Sequence, residues 1–239
     1  MPPTVVLLHG FTNTARSWDG VIAALPEGYR SLAPDIRGHG AASATRPVTL
    51  RCVIEDIDAT APELFTLAGY SMGGRIALHV AFELPQRVRR LVLVGASPGL
   101  KGAVARAERR AADERLAELA ERLTITEFSE RWAKAPVLAG QPEDVRAAVD
   151  VDRRRNQPEG LASALRGLGT GTLPSLWPRL RDLEIPIELI VGELDVKFRA
   201  TAEQMAQELP DARVIVVPGA GHAVHLERPG AVAEIISRA

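Results

Sequence analysis

Two serine residues lie at the centre of a Gly-x-Ser-x-Gly pattern, which can present a hydroxyl group for nucleophilic or base chemistry. They are Ser71 and Ser97, and each follows a short apolar run. The pattern alone is weak evidence, so the residue after each serine decides between them. A serine of this kind needs the N–H that follows it to stabilise negative charge on a substrate oxygen. Pro98 has no backbone N–H whereas Met72 has one, so the sequence favours Ser71 as the nucleophile or base.

An acidic residue and a histidine should follow this serine, because the partners of such a serine come in the order Ser, Asp or Glu, His along the chain. Asp195 and Glu193 both follow a late apolar run. Asp195 lies further past its end, where a loop can turn the carboxylate toward a histidine, and is favoured. His222 follows the last apolar run through a glycine-containing loop, and His225 is its competitor. The predicted catalytic triad is therefore Ser71, Asp195 and His222.

A His-Gly-Phe sequence that ends at Phe11 closes the first apolar run. Loops of this kind commonly supply the second donor of an oxyanion hole, so the predicted donors are the backbone N–H groups of Phe11 and Met72. His9 and His39 are not assigned as the base, and His79 is predicted to be structural. No set of His, Cys and acidic residues has convincing metal-ligand spacing, so we expect no metal and no other cofactor.

The elements that must position these residues are short runs rich in Val, Ile and Leu, typical of parallel strands buried on both faces. The predicted strands are Thr4–Leu8, a weaker one near 29–33, 64–68, 91–94, 187–191 and 213–217. Helical stretches alternate with them, which predicts a mostly parallel, doubly wound sheet. With the serine motif, this pattern predicts the α/β class and, within it, the α/β-hydrolase fold.

The strand pattern disappears between Ser97 and about Pro178, where helical periodicity takes its place. The predicted helices in this segment are 104–123, 126–134 and 143–155. We interpret residues 97–178 as an inserted helical lid over the carboxyl edge of the sheet, where open α/β sheets bind ligands. The core would then consist of residues 1–96 and 179–239.

The overall composition excludes some classes of function. A net charge of −1 gives no general attraction to nucleic acid or to an anionic membrane. The single cysteine, Cys52, excludes an intrachain disulfide. The chain shows no secretory signal pattern and no run near the ~18 apolar residues of a membrane helix. We expect a cytoplasmic protein whose partner is a small molecule, not nucleic acid or membrane, and the sequence leaves its oligomeric state open.

Several segments resemble the 2-succinyl-6-hydroxy-2,4-cyclohexadiene-1-carboxylate synthase (SHCHC synthase) family, and the likeness covers nearly the whole chain. Segments 8–11, 35–40 and 220–222 are shared by many α/β-hydrolases. More specific are segments 69–75 and 97–100, the stretch 106–109 with Asp113 after it, and Trp132 ahead of 135–137. The most distinctive late segment is 192–198, which reads Gly-Glu-Leu-Asp-Val-Lys-Phe.

The resemblance implies a lyase of menaquinone biosynthesis, despite the hydrolase fold. The family's substrate is 2-succinyl-5-enolpyruvyl-6-hydroxy-3-cyclohexene-1-carboxylate. Its reaction removes a ring proton next to the succinyl ketone and expels pyruvate, which leaves a conjugated diene. The resemblance further implies that Ser71, activated by His222 and Asp195, acts as the base. The oxyanion hole would hold the charge that delocalises onto the ketone oxygen.

A substrate with three carboxylates requires fixed cations, and arginine pairs with carboxylates in bidentate geometry. Arg75 comes four residues after Ser71, one helical turn along the same face. Arg109 lies seven residues before Leu116, on the apolar stripe of the first lid helix, which is expected to face inward. The alternative for Arg109 is that it extends to the lid edge or pairs with a nearby acid.

The resemblance adds three further contact residues. It places an arginine near the run 153–155 and favours Arg153, although the pattern is equally consistent with a solvated basic run. The other two arginines of the run have no evident family counterpart. Tyr70, beside the serine, and Trp132, on the lid, are also expected to contact substrate, with a place in the lid core as the alternative for Trp132.

Two other functions are consistent with the same residues. A hydrolase of an ester, a lactone or a C–C bond beside a ketone would use the same triad through an acyl-enzyme or a hydrolytic water. A ligand-binding protein could keep the triad as part of a receptor pocket. The intact triad and the N–H of Met72 argue against this last alternative.

Overall fold

A six-stranded sheet, parallel throughout, forms the centre of the computed structural model, which describes residues 2–238. Its strands are β1 (Thr4–Leu8), β2 (Arg30–Leu32), β3 (Phe65–Tyr70), β4 (Val88–Val94), β5 (Ile187–Gly192) and β6 (Ala212–Val217). Their order across the sheet is β2-β1-β3-β4-β5-β6. Each predicted strand is present, and the predicted α/β-hydrolase fold is confirmed.

Helices cover both faces of this sheet, because its strands are apolar on both sides. In β1, for example, the side chains of Val5, Val6, Leu7 and Leu8 are fully buried. The helices are α1 (Asp19–Ala24), α2 (Leu50–Thr60), α3 (Met72–Glu83), α4 (Ala103–Arg122), α5 (Ile125–Trp132), α6 (Glu143–Arg153), α7 (Pro158–Leu168), α8 (Val196–Glu208), α9 (Val224–Glu227) and α10 (Pro229–Ser237). Across residues 2–238, none of the helices is both long and apolar enough to cross a membrane.

The strand β4 begins at Val88, three residues before the predicted start at Leu91. The prediction started late because two arginines interrupt the apolar pattern of this strand. One of them, Arg90, donates from Nη2 to Glu188 Oε1 on β5 at 3.1 Å. It also donates to the carbonyl oxygen of Ile235 in α10 at 2.8 Å. Residues distant in sequence therefore provide acceptors for the Arg90 guanidinium, a group that would otherwise be unfavourable in a buried strand.

The chain changes its direction of travel across the sheet between β1 and β3. Strand β2 pairs with one side of β1 and β3 with the other, and Leu8 lies beside Gly69 in the register. At such a switch point the carboxyl ends of neighbouring strands open a crevice that binds ligands. The loop after β1 and the turn after β3 meet here, which brings Phe11 and Ser71 to one place.

Four helices, α4 to α7, stand between β4 and β5, in the segment for which the sequence predicts a lid. Helices α4, α5 and α7 share a small apolar core, and Phe11 of the loop after β1 packs against it. On α4 the buried positions are Asp113, Ala117 and Ala120, whereas Leu116 is only partly buried. The inward face of α4 thus contains a buried carboxylate, which the periodicity of its leucines does not indicate.

Helix α6 ends at Arg153, two residues before the predicted end at Arg155. The next helix, α7, begins at Pro158, and proline suits the first position of a helix because it lacks an N–H that would have no partner there. Residues 154–157 form the turn between the two helices. Of the three consecutive arginines, only the first therefore belongs to the helix.

Candidate active site

Ser71 occupies a tight turn between β3, which ends at Tyr70, and α3, which begins at Met72. Its backbone has φ 51° and ψ −106°. A non-glycine residue seldom adopts a positive φ, and a serine at a strand-to-helix elbow is a known exception. Gly73 lets the first turn of α3 approach β1, because a Cβ there would overlap the carbonyl oxygen of Leu8. The turn therefore depends on glycine at this position.

Three side chains from separate loops meet at this turn. His222 Nε2 lies 3.2 Å from Ser71 Oγ, and His222 Nδ1 lies 2.6 Å from Asp195 Oδ2. The second carboxylate oxygen, Oδ1, accepts from the N–H of Phe198 at 3.3 Å. A carboxylate beside Nδ1 holds the proton on that nitrogen, which leaves Nε2 to take the serine proton. The arrangement can activate the hydroxyl group as a base or as a nucleophile.

The two competing candidates, Glu193 and His225, have other surroundings. Glu193 Oε2 accepts from the N–H of Gly219 at 2.8 Å. His225 is buried, and its ring centre lies 4.2 Å from that of Tyr70 and 4.6 Å from that of Trp18. Burial lowers the pKa of His225 to about 3, so its ring stays neutral. Neither side chain joins the hydrogen-bonded set around the serine.

The second Gly-x-Ser-x-Gly copy belongs to the same site in a different way. Gly95 has φ +54°, and a Cβ there would lie 2.9 Å from Cε1 of His222. Ser97 lines the cavity that Ser71 also lines. Gly95 of this motif therefore allows close packing against the histidine ring, which the local sequence pattern does not predict.

The predicted oxyanion donors, Phe11 and Met72, border one cavity together with Ser71. Neither backbone N–H donates to an acceptor within residues 2–238. Met72 is the first residue of α3, and the N–H groups at the start of a helix carry partial positive charge. Both N–H groups are therefore available to a substrate oxygen that becomes negative.

The loop that carries Phe11 is held by His9. His9 Nε2 accepts from the N–H of Ile36 at 2.9 Å, so the ring proton lies on Nδ1, which is 2.9 Å from the carbonyl oxygen of Gly10. Burial lowers the pKa of His9 and keeps the ring neutral, which preserves both hydrogen bonds. Both ring nitrogens are thus engaged by the backbone.

The cavity above Ser71 has a volume of about 280 Å³. Three cationic side chains line it: Arg75, Arg109 and Lys197. Lys197 is not among the residues predicted from the sequence, and its signal there is its place two residues after Asp195 in the most family-specific late segment. A small cavity with three cations suits a small molecule that carries several negative charges.

Arg75 and Arg109 form a cluster with the buried Asp113. Arg109 Nε donates to Asp113 Oδ1 at 2.7 Å, and its side chain remains 45% exposed. Arg75 is buried, donates from Nη2 to Leu168 O at 3.4 Å, and its Nε has no acceptor within residues 2–238. Burial, and then the charge of Arg109, lowers the pKa of Arg75 to about 10. A carboxylate ligand would supply the missing acceptor and reduce the repulsion.

Both predicted aromatic contacts lie at the site. The ring centre of Trp132 on α5 is 5.1 Å from that of Phe11, and Trp132 lines the main cavity. Tyr70 is buried with its ring centre 5.3 Å from that of His222, and burial raises the pKa of its hydroxyl group. Tyr70 borders a smaller neighbouring cavity of about 40 Å³, which Ser71 also lines. The serine is thus accessible from both cavities.

The three consecutive arginines differ in their surroundings. Arg153 is almost fully buried, lines the smaller cavity, and donates from Nε to Thr12 Oγ1 at 3.2 Å. Arg154 pairs with Asp150 at 2.7 Å on the surface, and Arg155 is exposed. Arg153 is therefore the one of the three whose side chain reaches a cavity at Ser71, although it also holds a protein loop.

The described part of the chain contains no group of three His, Cys, Asp or Glu side chains arranged to hold a metal ion. The polar side chains around Ser71 include hydroxyl, imidazole, guanidinium and ammonium groups, and the two nearby carboxylates are engaged by His222 (Asp195) and by Arg109 (Asp113). This donor set supports proton transfer and anion binding.

Comparison with known proteins identifies relatives along the full chain. The alpha/beta hydrolase family profile matches residues 5–235. A Bacillus subtilis (strain 168) protein, provisionally named 2-succinyl-6-hydroxy-2,4-cyclohexadiene-1-carboxylate synthase, is 40% identical over 98% of this chain and 88% of its own. The synthase of that name from Salmonella agona (strain SL483) is 35% identical over 99% of this chain and 93% of its own. The structure of MenH from S. aureus superposes with a TM-score of 0.91 at 30% identity, covering 99% of this chain and 92% of that one.

Proposed function

Because the chain belongs to the SHCHC synthase family of the alpha/beta hydrolases, we propose that it eliminates pyruvate from 2-succinyl-5-enolpyruvyl-6-hydroxy-3-cyclohexene-1-carboxylate in menaquinone biosynthesis. The chain is an enzyme of this superfamily, and the finer assignment is to a carbon–oxygen lyase with a Ser-His-Asp triad. Its product is the conjugated diene 2-succinyl-6-hydroxy-2,4-cyclohexadiene-1-carboxylate.

The reaction begins with removal of the ring proton next to the succinyl ketone. Ser71 Oγ takes this proton while its own hydroxyl proton moves to His222 Nε2, 3.2 Å away. Asp195, 2.6 Å from Nδ1, stabilises the resulting imidazolium. The electron pair left on the ring delocalises onto the ketone oxygen, where the N–H groups of Phe11 and Met72 stabilise the negative charge.

Elimination follows when this electron pair returns to the ring. The double bond shifts, the bond from the ring to the enolpyruvyl oxygen breaks, and enolpyruvate leaves. The proton held on His222 balances the proton that enolpyruvate takes up to become pyruvate. Because no covalent bond to Ser71 forms, the reaction requires no hydrolytic water.

The cations around the cavity would bind the substrate carboxylates. Arg75 and Arg109 lie together on one side, and Lys197 lies near the start of α8. Arg153 borders the smaller cavity, on another side of Ser71. We propose that these groups orient the ring so that its acidic C–H faces the serine, since fixed charges position an anionic substrate before reaction.

A single observation carries the proposal most strongly: Arg75 is a buried guanidinium, one helical turn from Ser71, with an Nε that has no acceptor within residues 2–238. A simple esterase acting on neutral substrates has no need of a buried cation at this place. A buried donor without an acceptor is unfavourable even with Asp113 nearby, so the unsatisfied Nε supports an anionic ligand beside the serine.

The test is to generate the enolpyruvyl substrate in situ and to follow pyruvate release together with the absorbance of the diene. We expect matched formation of both by the wild type. Ser71→Ala should lose about 10²–10⁴-fold in kcat, the usual range for a general base. The mutant and an enzyme-free sample define the background of uncatalysed elimination.

Pyruvate and diene formation at the background rate in wild type and mutant alike would contradict the lyase assignment. In that case, a burst followed by steady turnover of an activated neutral ester would indicate the hydrolase alternative, because an acyl-enzyme forms and is then hydrolysed.

A further inference from the structure

The C-terminal end of α6 packs against the loop that carries Phe11. Three side chains from this end of the helix and the turn after it form hydrogen bonds with loop residues 12–14. These side chains are Asp152, Arg153 and Asn156. All three are buried, as are Thr12 and Thr14 on the loop. The contact is therefore a water-excluded polar junction between the lid segment and the core.

Asp152 is bound to the loop through both carboxylate oxygens. Oδ2 accepts from the N–H of Thr14 at 2.9 Å, and Oδ1 accepts from the Thr14 hydroxyl group. The same hydroxyl oxygen accepts from the N–H of Arg16 at 3.3 Å and so caps the short 3-10 helix that follows. A buried carboxylate needs such donors, so separating Asp152 from Thr14 would leave a charge without hydrogen bonds.

Asn156 connects the same loop to a second one. Its Nδ2 donates to the carbonyl oxygen of Thr12 at 2.8 Å, and its Oδ1 accepts from the N–H of Gly40 at 3.0 Å. Because one end must donate and the other must accept, these partners define the orientation of the amide. Asn156 thus joins the turn after α6 to two core loops at once.

Thr12 has an unfavourable backbone conformation that these contacts maintain. Its φ is 68°, which a β-branched residue rarely adopts, so this backbone is strained. Arg153 holds its hydroxyl group and Asn156 its carbonyl oxygen. Since Thr12 directly follows Phe11, relaxation of its φ would move the segment that supplies the oxyanion donor.

We propose that Asp152 and Asn156 are positioning residues that hold the Phe11 N–H in the oxyanion hole. The hole is then complete only while the end of α6 is docked on the core. This inference rests on the proposed oxyanion role of Phe11, which any reaction with a negative substrate oxygen would use. An oxyanion donor acts mainly in the transition state, so its displacement lowers kcat more than it raises KM.

Two variants test this role. Asn156→Asp keeps an acceptor for Gly40 but replaces the donor to the Thr12 carbonyl by an oxygen, and Asp152→Asn removes the carboxylate. The matched control is Arg46→Ala, which removes another hydrogen bond between core and lid segment, from Arg46 Nη2 to the carbonyl oxygen of Glu159 at 3.2 Å. It also removes two hydrogen bonds within the core, from Arg46 Nη1 to the carbonyl oxygens of Ser43 and Thr45. None of these bonds involves the Phe11 loop.

We expect both variants to lose about 10–100-fold in kcat for pyruvate release with KM changed less than about twofold, because loss of one oxyanion donor costs about 10²–10³-fold and displacement costs less. Arg46→Ala should stay within about twofold of wild type. Hydrogen exchange should become faster in residues 10–16 of the two variants while α4 and α7 keep wild-type exchange. If the Asn156→Asp variant does not fold, Asn156→Ser replaces it in the same measurements.

Unchanged kcat overturns the proposal, whether or not exchange in residues 10–16 changes. A rise in KM that accounts for the whole loss of kcat/KM overturns it too, because it would assign the residues to substrate binding. If the wild type releases pyruvate only at background, the proposed function fails. The positioning role is then decided by kcat for p-nitrophenyl acetate, whose tetrahedral oxyanion requires the same donors, and by the exchange data.

Discussion

At the scale of single residues, the site combines the proposed triad with arginine side chains that keep N–H groups without an acceptor within residues 2–238. Arg109 is held through Nε by Asp113 at 2.7 Å, and its terminal nitrogens donate to no acceptor within residues 2–238. This pairing orients the guanidinium without using the two N–H pairs that face a ligand most readily. Arg109 therefore both pairs with an acid, Asp113, and lines the cavity. The two alternatives for this residue are compatible, because the ion pair holds the guanidinium in place.

Arg109→Gln tests this interpretation. We expect KM for the enolpyruvyl substrate to rise about tenfold with kcat nearly unchanged, because a charge-assisted hydrogen bond at a half-exposed site contributes near the lower end of about 1.5–3 kcal/mol. Steady-state kinetics of pyruvate release provides the measurement. Arg115→Gln, on the same helix and outside the cavity wall, is the control for the change in net charge. An equal rise in KM in both variants would contradict a specific role for Arg109.

At the scale of elements, the serine turn depends on the close approach of α3 to β1 and β3. A Cβ on Gly73 would overlap the carbonyl oxygens of Leu8 and His9, which are backbone atoms and cannot move aside independently. The positive φ of Ser71 is maintained by the same packing. The elbow is therefore a rigid junction of three elements, in which one added methyl group must displace a strand or a helix.

Gly73→Ala is expected to lower the free energy of unfolding by about 3 kcal/mol or more, at or above the upper end of the usual overpacking range. Gly230→Ala is the matched control, because nothing lies within 4 Å of a Cβ at that helical position. This control should be neutral or more stable by up to about 1 kcal/mol, since alanine favours a helix. Urea unfolding measures both, and equal stability of the two variants would show that the elbow tolerates a side chain.

At the scale of the whole molecule, burial of neutral histidines makes stability depend on pH. His79 and His225 have pKa values lowered by burial to about 4 and about 3. Between the unfolded value of about 6.5 and these values, the unfolded chain binds protons that the native protein does not. The free energy of unfolding therefore decreases as the pH falls through this window and is fully retained above it.

His225→Phe should remove one such contribution. Both ring nitrogens of His225 lack partners within residues 2–238, so no hydrogen bond is lost in the variant. We expect the slope of unfolding free energy against pH to decrease by about 1.4 kcal/mol per pH unit between about pH 6 and pH 4. Urea unfolding at several pH values measures the slope, and the value at pH 7.5 controls for altered packing. An unchanged slope would mean that His225 is protonated in the native protein.

Local pattern and chain order are enough to predict the strands, the elbow and the three residues of the proposed triad. Short apolar runs mark buried parallel strands wherever they occur, and the missing N–H of Pro98 excludes Ser97 without reference to any other residue. Asp195 and His222 each follow a late strand, and the carboxyl ends of parallel strands lie at the same edge of the sheet. Their positions in the sequence therefore predict that they lie at the edge where Ser71 also lies. These features depend on neighbours in sequence, which is why a single sequence suffices to predict them.

The tertiary structure alone decided which distant side chains meet. Arg90 belongs to β4 because Glu188 and the end of α10 satisfy it, and Gly95 matters because the His222 ring lies against it. The contact of Asp152 with Thr14 spans 138 positions of the chain. Such pairs leave no periodic signal, because the sequence around each partner has no unusual pattern. Their hydrogen bonds contribute to stability only after folding has excluded water from between the two partners.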